Sequence, residues 1–462
     1  MSGSGTRSAT STASDPSQTH LMQRGIDLKG AVSANVLNMV GIGPFLTIPL
    51  ALAAMGGPQA MLGWVLGAFI ALCDGLVWAE LGSQMPQSGG PYHYLREAFG
   101  PLRFGILASF LFLWQTMLIG PLSIASGAVG FAQYAKYLAP SLHDWQLPAL
   151  AAAVCLINTV LLFRRISSIN GLSIVIATIV IATTAWIVVS GLIHFRLSVA
   201  FDFPPGAFHL SRPFSVGLGA ATLIALYDYG GYNNVCLFGE EVRSPQKTIP
   251  HAIIISIVLV AVLYLTMNIS ILGVIPWREA MHSDAIVAMF IQKLYGPLGA
   301  KISTILILIA TFGSVFAILL GYSRVPYAAA VDGHFFSLFA RLHPKGNYPV
   351  VAVLSLGLLS ALACIFSLAD LVSMLIVLQI MLQFVAQCVA VIVLRKRAIG
   401  GPEVFRMPLF PLPALIALAG WIYIIATSGL RYIEIGLALM AVGVLAFLLR
   451  SYRVHQWPFK IA

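Results

Sequence analysis

One carboxylate within an otherwise apolar stretch is the side chain in this sequence most able to do chemistry. Asp228 lies in the run from 221 to 250, two residues before the glycine pair Gly230-Gly231. A charge inside a membrane is costly, and a break in a helix there is tolerated only where the backbone is buried in protein or lines a cavity. Three hypotheses follow: Asp228 receives the amine of a cationic substrate, carries a coupled proton, or braces an unwound segment through hydrogen bonds.

Two other carboxylates are candidates for carrying a proton. Asp74 and Glu80 lie in the apolar stretch from about 58 to 83, six residues apart and therefore on different faces of a helix. Glu80 is near one end of the stretch, where a solvated role is the simpler interpretation, whereas Asp74 is deeper. Trp114 and Gln115, near the middle of the next apolar stretch, are candidates for substrate contact.

Catalytic and metal-binding patterns are missing from the sequence. It contains no HExxH motif, no histidine cluster and no Gly-x-Ser-x-Gly elbow. The five cysteines lie in apolar stretches without the paired spacing that metal or redox work requires, which favours a packing role. We therefore predict that the protein is not an enzyme and holds neither a metal ion nor a cofactor.

The composition identifies the elements that must position these residues. The 462 residues are 59% hydrophobic and 9% charged, against roughly 25% charged in an average soluble domain. Apolar stretches of about 20 residues, long enough to cross a bilayer as helices, recur about twelve times. The sequence therefore predicts an all-α membrane protein surrounded by the lipid bilayer.

The distribution of basic residues predicts how these spans are oriented. The net charge of +10 does not indicate nucleic acid binding, because Lys and Arg occupy short breaks between apolar stretches. With twelve spans and a cytoplasmic N-terminus, inside segments carry 19 and outside segments 7 of the 26 Lys and Arg. The positive-inside rule then places both termini in the cytoplasm and the chain in the cell membrane.

Two interrupted spans divide the chain into related parts. The first span is expected to break at Gly41-Ile42-Gly43-Pro44 and the sixth at Gly230-Gly231, and four spans follow each break. Interrupted spans at corresponding positions indicate a transporter built from inverted repeats. The expected organisation is a disordered cytoplasmic tail (1–24), two five-helix repeats (25–195 and 210–400), two accessory helices (405–452) and a cytoplasmic tail (453–462).

Several motifs resemble those of a known family. They are the segments Gly41–Phe45, Ala79–Tyr92, Leu226–Asn233, Glu240–Pro250 and Ser323–Gly333. These segments, in this order and at this spacing over about residues 25 to 400, resemble the motifs of the amino acid/polyamine/organocation permeases. The resemblance implies a leucine-transporter-type fold, with a 5+5 inverted repeat plus two C-terminal helices, that works by alternating access.

The resemblance also implies where a substrate binds. Its carboxylate is expected at backbone N–H groups of Gly41, Ile42 and Gly43, and its ammonium group near carbonyls around Asn38, Val40 and Tyr227. The positive N-terminal end of the helix that resumes after Gly43 agrees with an anion there. The full set of candidate contacts comprises Asn38, Val40, Gly41, Ile42, Gly43, Trp114, Gln115, Tyr227, Asp228, Tyr229, Gly230 and Asn233.

Three departures from the family pattern limit what carries over. The Gly-Ile-Gly-Pro sequence of the first break is closer to polyamine-type members than to the Ser-Gly pair common in amino acid members. The fifth span lacks, over residues 170–180, the lysine that some proton-coupled members place there. Many relatives carry a small residue where this chain has Asp228.

The sequence thus predicts a secondary active transporter of amino acids or related amines such as polyamines. An amino acid exchanger and a transporter-like nutrient sensor remain alternatives. We expect the protein to work alone, as a monomer or homodimer, on a small-molecule substrate, with a coupled proton as one option and without nucleic acid. The two accessory helices are expected to serve packing or oligomer contact. Three amides spaced every four residues, on Gln379, Gln383 and Gln387, are expected to hydrogen-bond between helices.

Overall fold

The computed structural model describes residues 24–459, apart from 42, 164–165, 284, 345, 347, 369–370, 372–374, 376–377, 398–400, 402 and 456. Within these residues the chain is almost entirely helical. Extended pairing there is confined to two isolated bridges, Ile26 with Val242 and Leu342 with Pro349. The all-α prediction is confirmed. The predicted N-terminal tail (1–24) lies outside the described residues except for Arg24, whereas the predicted C-terminal tail (453–462) is described at 453–455 and 457–459.

The first half of the chain forms eight helices in the described residues. They are α1 (Leu28–Met39), α2 (Gly43–Met55), α3 (Met61–Gln84), α4 (Pro91–Ala98), α5 (Phe104–Leu138), α6 (Leu147–Leu161), α7 (Ile166–Ile193) and α8 (Leu197–Ala200). Glycine and proline separate α1 from α2, and the two helices are bent by 42° relative to each other. Together they occupy the predicted first span.

The second half continues with ten helices in the same described part of the chain. They are α9 (Arg212–Tyr229), α10 (Asn234–Leu237), α11 (Pro245–Leu272), α12 (Trp277–Ala280), α13 (Ile286–Tyr322), α14 (Arg324–Val331), α15 (Val350–Ala363), α16 (Val385–Lys396), α17 (Leu412–Thr427) and α18 (Leu430–Val454). A short π-helical turn, Ile380–Phe384, precedes α16.

Many of these helices are long and apolar enough to cross a membrane. Among the described residues, seven helices meet that criterion, or eight if α1 and α2 are one bent span. α15 and α17 are apolar but shorter. The chain is therefore a multi-pass membrane protein, while the number of twelve spans stays a prediction.

A helical segment precedes the predicted eighth span. The sequence predicts a start near Pro297, whereas α13 as a whole begins at Ile286. Gly296, with φ 74°, leaves helical geometry directly before the proline. The glycine and proline therefore separate two helical segments, 286–295 and 297–322, and the second starts where the sequence predicts.

Candidate functional site

Neighbouring helices donate hydrogen bonds to two backbone carbonyls at the first helix junction, which lies between α1 and α2. α1 ends at Met39, and the Met39 carbonyl accepts a hydrogen bond of 2.8 Å from Tyr264 of α11. The Val40 N–H donates to Val36 O at 2.7 Å, which closes the last turn of α1. The carbonyl of Phe45, at the start of α2, accepts a bond of 2.9 Å from the Tyr134 hydroxyl. Ile42, a predicted substrate contact, lies outside the described residues.

The second junction lies between α9 and α10. The backbone leaves the helix after Tyr229, passes through Gly230–Asn233 and resumes as α10. One side chain of α1, Asn35, bridges this segment: its Nδ2 donates to Tyr232 O at 2.7 Å, and its Oδ1 accepts from Val235 N at 2.9 Å. The amide therefore replaces hydrogen bonds that a continuous helix would have made.

Close backbone contacts bring the two junctions together. A Cβ atom on Gly231, which has φ +113°, would lie 2.7 Å from Asn38 Cγ. A Cβ atom on Gly43 would lie 2.5 Å from Asp228 Oδ1. At Gly231 the positive φ and the nearby Asn38 backbone favour glycine alone, whereas at Gly43 an added Cβ would have to displace the Asp228 carboxylate.

A cavity of about 110 Å³ lies beside the touching junctions. It can hold several water molecules, each of which needs about 10–15 Å³ of such space. Neighbouring helices add polar and aromatic groups to its wall, among them Ser123, Ser126, Ser314, Tyr322, Phe384 and Trp421. Of the described residues that line it, none is Lys, Arg or His, and Asp228 is the only carboxylate.

The carboxylate of Asp228 is buried and only half paired. Its side chain is 1% exposed, and Oδ2 accepts a hydrogen bond of 2.6 Å from the Thr47 hydroxyl of α2. Oδ1 has no hydrogen-bond partner among the described residues. The indole Nε1–H of Trp64 is the donor that faces the carboxylate, although its geometry falls short of a hydrogen bond to Oδ1. An unpaired oxygen at a cavity wall is a binding position for a proton or a hydrogen-bond donor.

Asp74 holds side chains of the cavity wall in place through hydrogen bonds. It accepts hydrogen bonds from Tyr232 at 2.6 Å, from Trp421 Nε1 at 3.1 Å and from Cys388 Sγ at 3.7 Å. Tyr232 and Trp421 themselves line the cavity. Asp74 thus holds two cavity-lining side chains without lining the cavity itself.

Comparison with known proteins decides what kind of molecule contains this cavity. The profile of the family described as "Amino acid permease" matches residues 29–447, which is most of the chain. The chain belongs to the amino acid permease family. It is accordingly a transporter-family protein and not an enzyme.

Three relatives illustrate the match. The serine/threonine exchanger SteT of Bacillus subtilis (strain 168) is 26% identical over 88% of this chain and 91% of its own length. The large neutral amino acids transporter small subunit 2 of Homo sapiens is 30% identical over 94% of this chain and 82% of its own. The human Asc-type amino acid transporter 1 is 30% identical over 72% of this chain and 64% of its own. None of these three names mentions polyamines, so that part of the prediction has no specific support.

The structure of this permease brings together most, but not all, of the predicted substrate contacts. Those at the cavity are Asn38, Gly41, Gly43, Tyr227, Asp228, Gly230 and Asn233. Val40 and Tyr229 belong to the junctions, but their side chains are buried away from the cavity wall. The Tyr229 hydroxyl donates to Trp64 O at 3.3 Å.

Trp114 and Gln115 do not lie at the cavity. They line a separate small pocket between α5 and α18, where Trp114 Nε1 donates to Leu439 O at 3.2 Å. Gln115 Nε2 donates to Leu378 O at 2.6 Å. The position near the middle of a span was correct for both residues, but their helix face is turned away from the junctions.

Glu80 is also far from the cavity and holds a different part of the permease. Its Oε2 accepts from Met407 N at 2.8 Å, and its Oε1 lies 3.5 Å from Arg395 Nε. These contacts connect α3 to α16 and to the segment before α17. Glu80 is 0% exposed, so the simpler interpretation of a solvated role is wrong: the carboxylate is buried because protein groups pair with both of its oxygens, and it is not among the residues that line the cavity.

Several cavity residues were not expected from the sequence. Ser123, Ser126 and Gly127 form a face of small residues on α5, and such a face is a signal that spacing could have revealed. Gln379, expected to bond between helices, does so through Tyr322 at 3.1 Å and also lines the cavity, whereas the amide of Gln387 has no hydrogen-bond partner among the described residues, so the expectation is wrong there. The expectation that α17 serves only packing or oligomer contact is wrong for Trp421, since that side chain reaches the cavity.

Proposed function

We propose that this permease is a secondary active transporter that binds an amino acid in the cavity between the two helix junctions and moves it by alternating access. The observation that carries the proposal is the meeting of Gly231 with Asn38 and of Gly43 with Asp228 at one polar cavity. Both junctions interrupt helices within apolar stretches, and such interruptions are typical of the central sites of transporters with inverted repeats.

The groups around the cavity suit a zwitterion. The first N–H groups of a helix have no partner within the helix and attract anions, and α2 starts at Gly43 beside the cavity. The side chains of Asn38, Ser126 and Ser314 supply oxygen acceptors for an ammonium group. A substrate that carries both a carboxylate and an amine can therefore satisfy both sides of the cavity.

Counterflow in proteoliposomes tests the proposal. The purified permease, loaded inside with unlabelled L-serine, L-threonine or L-leucine, is expected to accumulate the same labelled amino acid from outside. A nutrient sensor would bind the amino acid without accumulating it. If none of the three amino acids is accumulated by counterflow, and none of them raises the melting temperature of the purified permease, the proposal is wrong.

A glycine substitution connects the transport to this cavity. Gly231→Ala is expected to abolish counterflow, because its Cβ would collide with Asn38. Gly206→Ala is the matched control: Gly206 also has a positive φ, +77°, but no atom lies within 4 Å of an added Cβ. Equal activity in the two variants would place the transport path elsewhere.

A second candidate function is amino acid exchange. One of the relatives is named a serine/threonine exchanger, which favours this mode of transport. An exchanger releases labelled amino acid only when amino acid is present outside, whereas a symporter also releases it into empty buffer. Measuring efflux into buffers with and without unlabelled substrate separates the two modes.

The remaining features of the proposal concern assembly and orientation. We infer two inverted repeats over 25–195 and 210–400, with accessory helices over 405–452, in a cell-membrane protein with both termini in the cytoplasm. The excess of Lys and Arg in predicted inside segments supports this orientation. We further propose that the permease acts as a monomer or homodimer, without nucleic acid or cofactor.

A further inference from the structure

The position of Asp228 relative to α2 is unusual for a site that attracts an anion. α2 contains 13 residues, and its first residue, Gly43, lines the cavity. Asp228 Oδ1 lies against Gly43, the first residue of that helix, and Oδ2 accepts from Thr47 in its second turn. The protein's own carboxylate therefore lies where a bound carboxylate would interact with α2.

Two carboxylates cannot both remain charged at such close range in a buried site. Like charges that share a site raise the proton affinity of one member of the pair. The described cavity-lining residues include no Lys, Arg or His that could offset the second negative charge. The titratable side chains around Asp228 are the tyrosines Tyr227 and Tyr229 of α9 and Tyr264 of α11, while α2 contributes Thr47 and α3 contributes Trp64.

The unpaired Oδ1 offers a place for the proton. The oxygen is buried, accepts no hydrogen bond among the described residues although the Trp64 indole faces the carboxylate, and belongs to a residue of the cavity wall. Once protonated there, the carboxyl group changes from an acceptor into a hydrogen-bond donor, which a substrate carboxylate can accept. Thr47 continues to occupy Oδ2.

We propose that Asp228 is a proton site linked to the substrate carboxylate, so that one proton enters the cavity with each zwitterionic amino acid. This inference rests on the proposed function and deepens it. The proton comes from the solution that fills the open cavity, binds as the amino acid binds, and leaves when the substrate is released on the other side. An amine that lacks a carboxylate gains nothing from the proton and is bound less well when Asp228 is neutral.

Binding measurements on the full-length permease in nanodiscs test the linkage. Calorimetry with L-serine and L-leucine from pH 5.5 to 8.5 is expected to show an affinity that falls about tenfold per pH unit above a midpoint. The same titration in two buffers with different ionisation enthalpies is expected to show uptake of close to one proton per amino acid. Ethanolamine and isoamylamine, the corresponding amines without the carboxylate, are expected to bind weakly without proton uptake.

Two variants separate the role of Asp228 from simple misfolding. Asp228→Asn cannot bind the proton, so its affinity for amino acids should no longer depend on pH and proton uptake should disappear. Thr47→Val removes the donor that stabilises the charged carboxylate, so its midpoint should move to higher pH while proton uptake persists. The second variant remains informative if the first one does not fold.

Three binding results would overturn the proposal, and one transport result would as well. The first is wild-type affinity for amino acids that is constant across the pH range, and the second is proton uptake that survives in Asp228→Asn. The third is tighter binding of the two amines than of the amino acids, increasing with pH, which would show that Asp228 receives a cation. Counterflow that proceeds without any pH dependence would sink this inference and leave the proposed function standing, whereas absence of counterflow at every pH would sink the function itself.

Discussion

Asp74 joins side chains of three different segments at a single carboxylate. Its bonds to Tyr232 and Trp421 fix two cavity-lining rings, and Phe384 stacks on Trp421 at a centroid distance of 4.4 Å. A carboxylate accepts at both oxygens, whereas an amide accepts at one and presents donors at the other. In Asp74→Asn, the N–H donors of the new amide would therefore face a buried donor that now bonds to the carboxylate.

Asp74→Asn should destabilise the permease by about 1–3 kcal/mol, the usual cost of an unsatisfied buried polar group. We expect a lower apparent melting temperature together with a higher KM for amino acid uptake, because Trp421 and Tyr232 lose their fixed positions. Trp421→Phe removes only one donor and keeps the ring stack with Phe384. If the double variant is no less stable than Asp74→Asn alone, the two residues act through the same bond; full additivity would argue against the network.

The site residues that sequence reasoning found and those that it missed differ for a physical reason. Asp228, Gly41 and Gly43 stand out because a carboxylate or a glycine cluster is expensive within a membrane span. Trp421 and Ser314 are ordinary in membrane helices, and only the packing of distant spans brings them to the cavity. Local pattern carries no information on that packing.

Helix α3 depends on a glycine where it crosses α9, the helix that carries Asp228. A Cβ atom on Gly63 would lie 2.7 Å from the carbonyl carbon and from the Cβ of Ala221. Backbone atoms cannot turn aside as a flexible side chain can, so an added methyl must separate the two helices. Small residues at such crossings allow the close helix packing that membrane proteins use in place of a hydrophobic driving force.

Gly63→Ala should therefore lower stability by about 1–3 kcal/mol, as overpacking usually does. Gly171→Ala is the matched control: it also lies inside a helix, α7, and nothing lies within 4 Å of an added Cβ. Alanine favours helix by about 1 kcal/mol relative to glycine, so the control should melt at the same or a higher temperature. Equal destabilisation of the two variants would contradict the close crossing.

Sequence patterns located the helices better than they located their ends. The apolar stretch from 58 to 83 corresponds to α3 with little change, because hydrophobic length determines a span. Gly296-Pro297 has the composition of a helix end, and the backbone does leave helical geometry at Gly296, but the sequence missed the helical turns from Ile286 that precede this pair. Whether such a pair ends a helix or bends it is decided by tertiary contacts.

A cluster with two half-buried histidines, His93 and His334, connects three parts of the permease. The Tyr92 hydroxyl and His334 Nδ1 are 2.5 Å apart, and His93 Nε2 lies 3.0 Å from Ser88 O. Arg96 of α4 pairs with Asp332, which follows α14, at 2.5 Å. Burial lowers the pKa of His93 and of His334 below the ordinary value, and for His334 the charge of Arg96 acts in the same direction.

Stability should consequently fall as the pH drops below about 6.5, the ordinary pKa of histidine. In that range the unfolded chain binds protons that the folded permease does not bind, and each histidine can contribute at most about 1.4 kcal/mol per pH unit. Melting temperatures between pH 5.5 and 7.5 measure the slope. His334→Gln should reduce it, while His209→Gln, on an exposed loop, should leave it unchanged; an unchanged slope in both would exclude the cluster as its source.

The proposed repeats make a statement about which helices of the whole molecule occupy equivalent positions. Helices at corresponding positions of the two halves pack against each other: α2 against α9, α3 against α11, α5 against α13 and α6 against α15. This pairing supports the proposed repeats. Inversion of one repeat relative to the other is a separate matter, since it requires corresponding loops to lie on opposite sides of the membrane.

Two exposed aromatic residues provide the test of inversion. Trp145 lies between α5 and α6, and Phe336 lies between α14 and α15, which are corresponding loops of the two halves. Their exposed fractions, 75% and 71%, are nearly equal, and the five native cysteines are buried, so labelling at an introduced thiol should stand out from the background. The distribution of Lys and Arg predicts Trp145 outside and Phe336 inside.

Trp145→Cys should therefore react with a membrane-impermeant maleimide on intact cells. Phe336→Cys should react only after the membrane is permeabilised. Reaction of both variants on intact cells, or of neither, would mean that the repeats are parallel and that the cavity is not related to an inverted pair of junctions. Reaction of Phe336→Cys alone would keep the inversion but reverse the orientation, which the excess of basic residues in the predicted inside segments opposes.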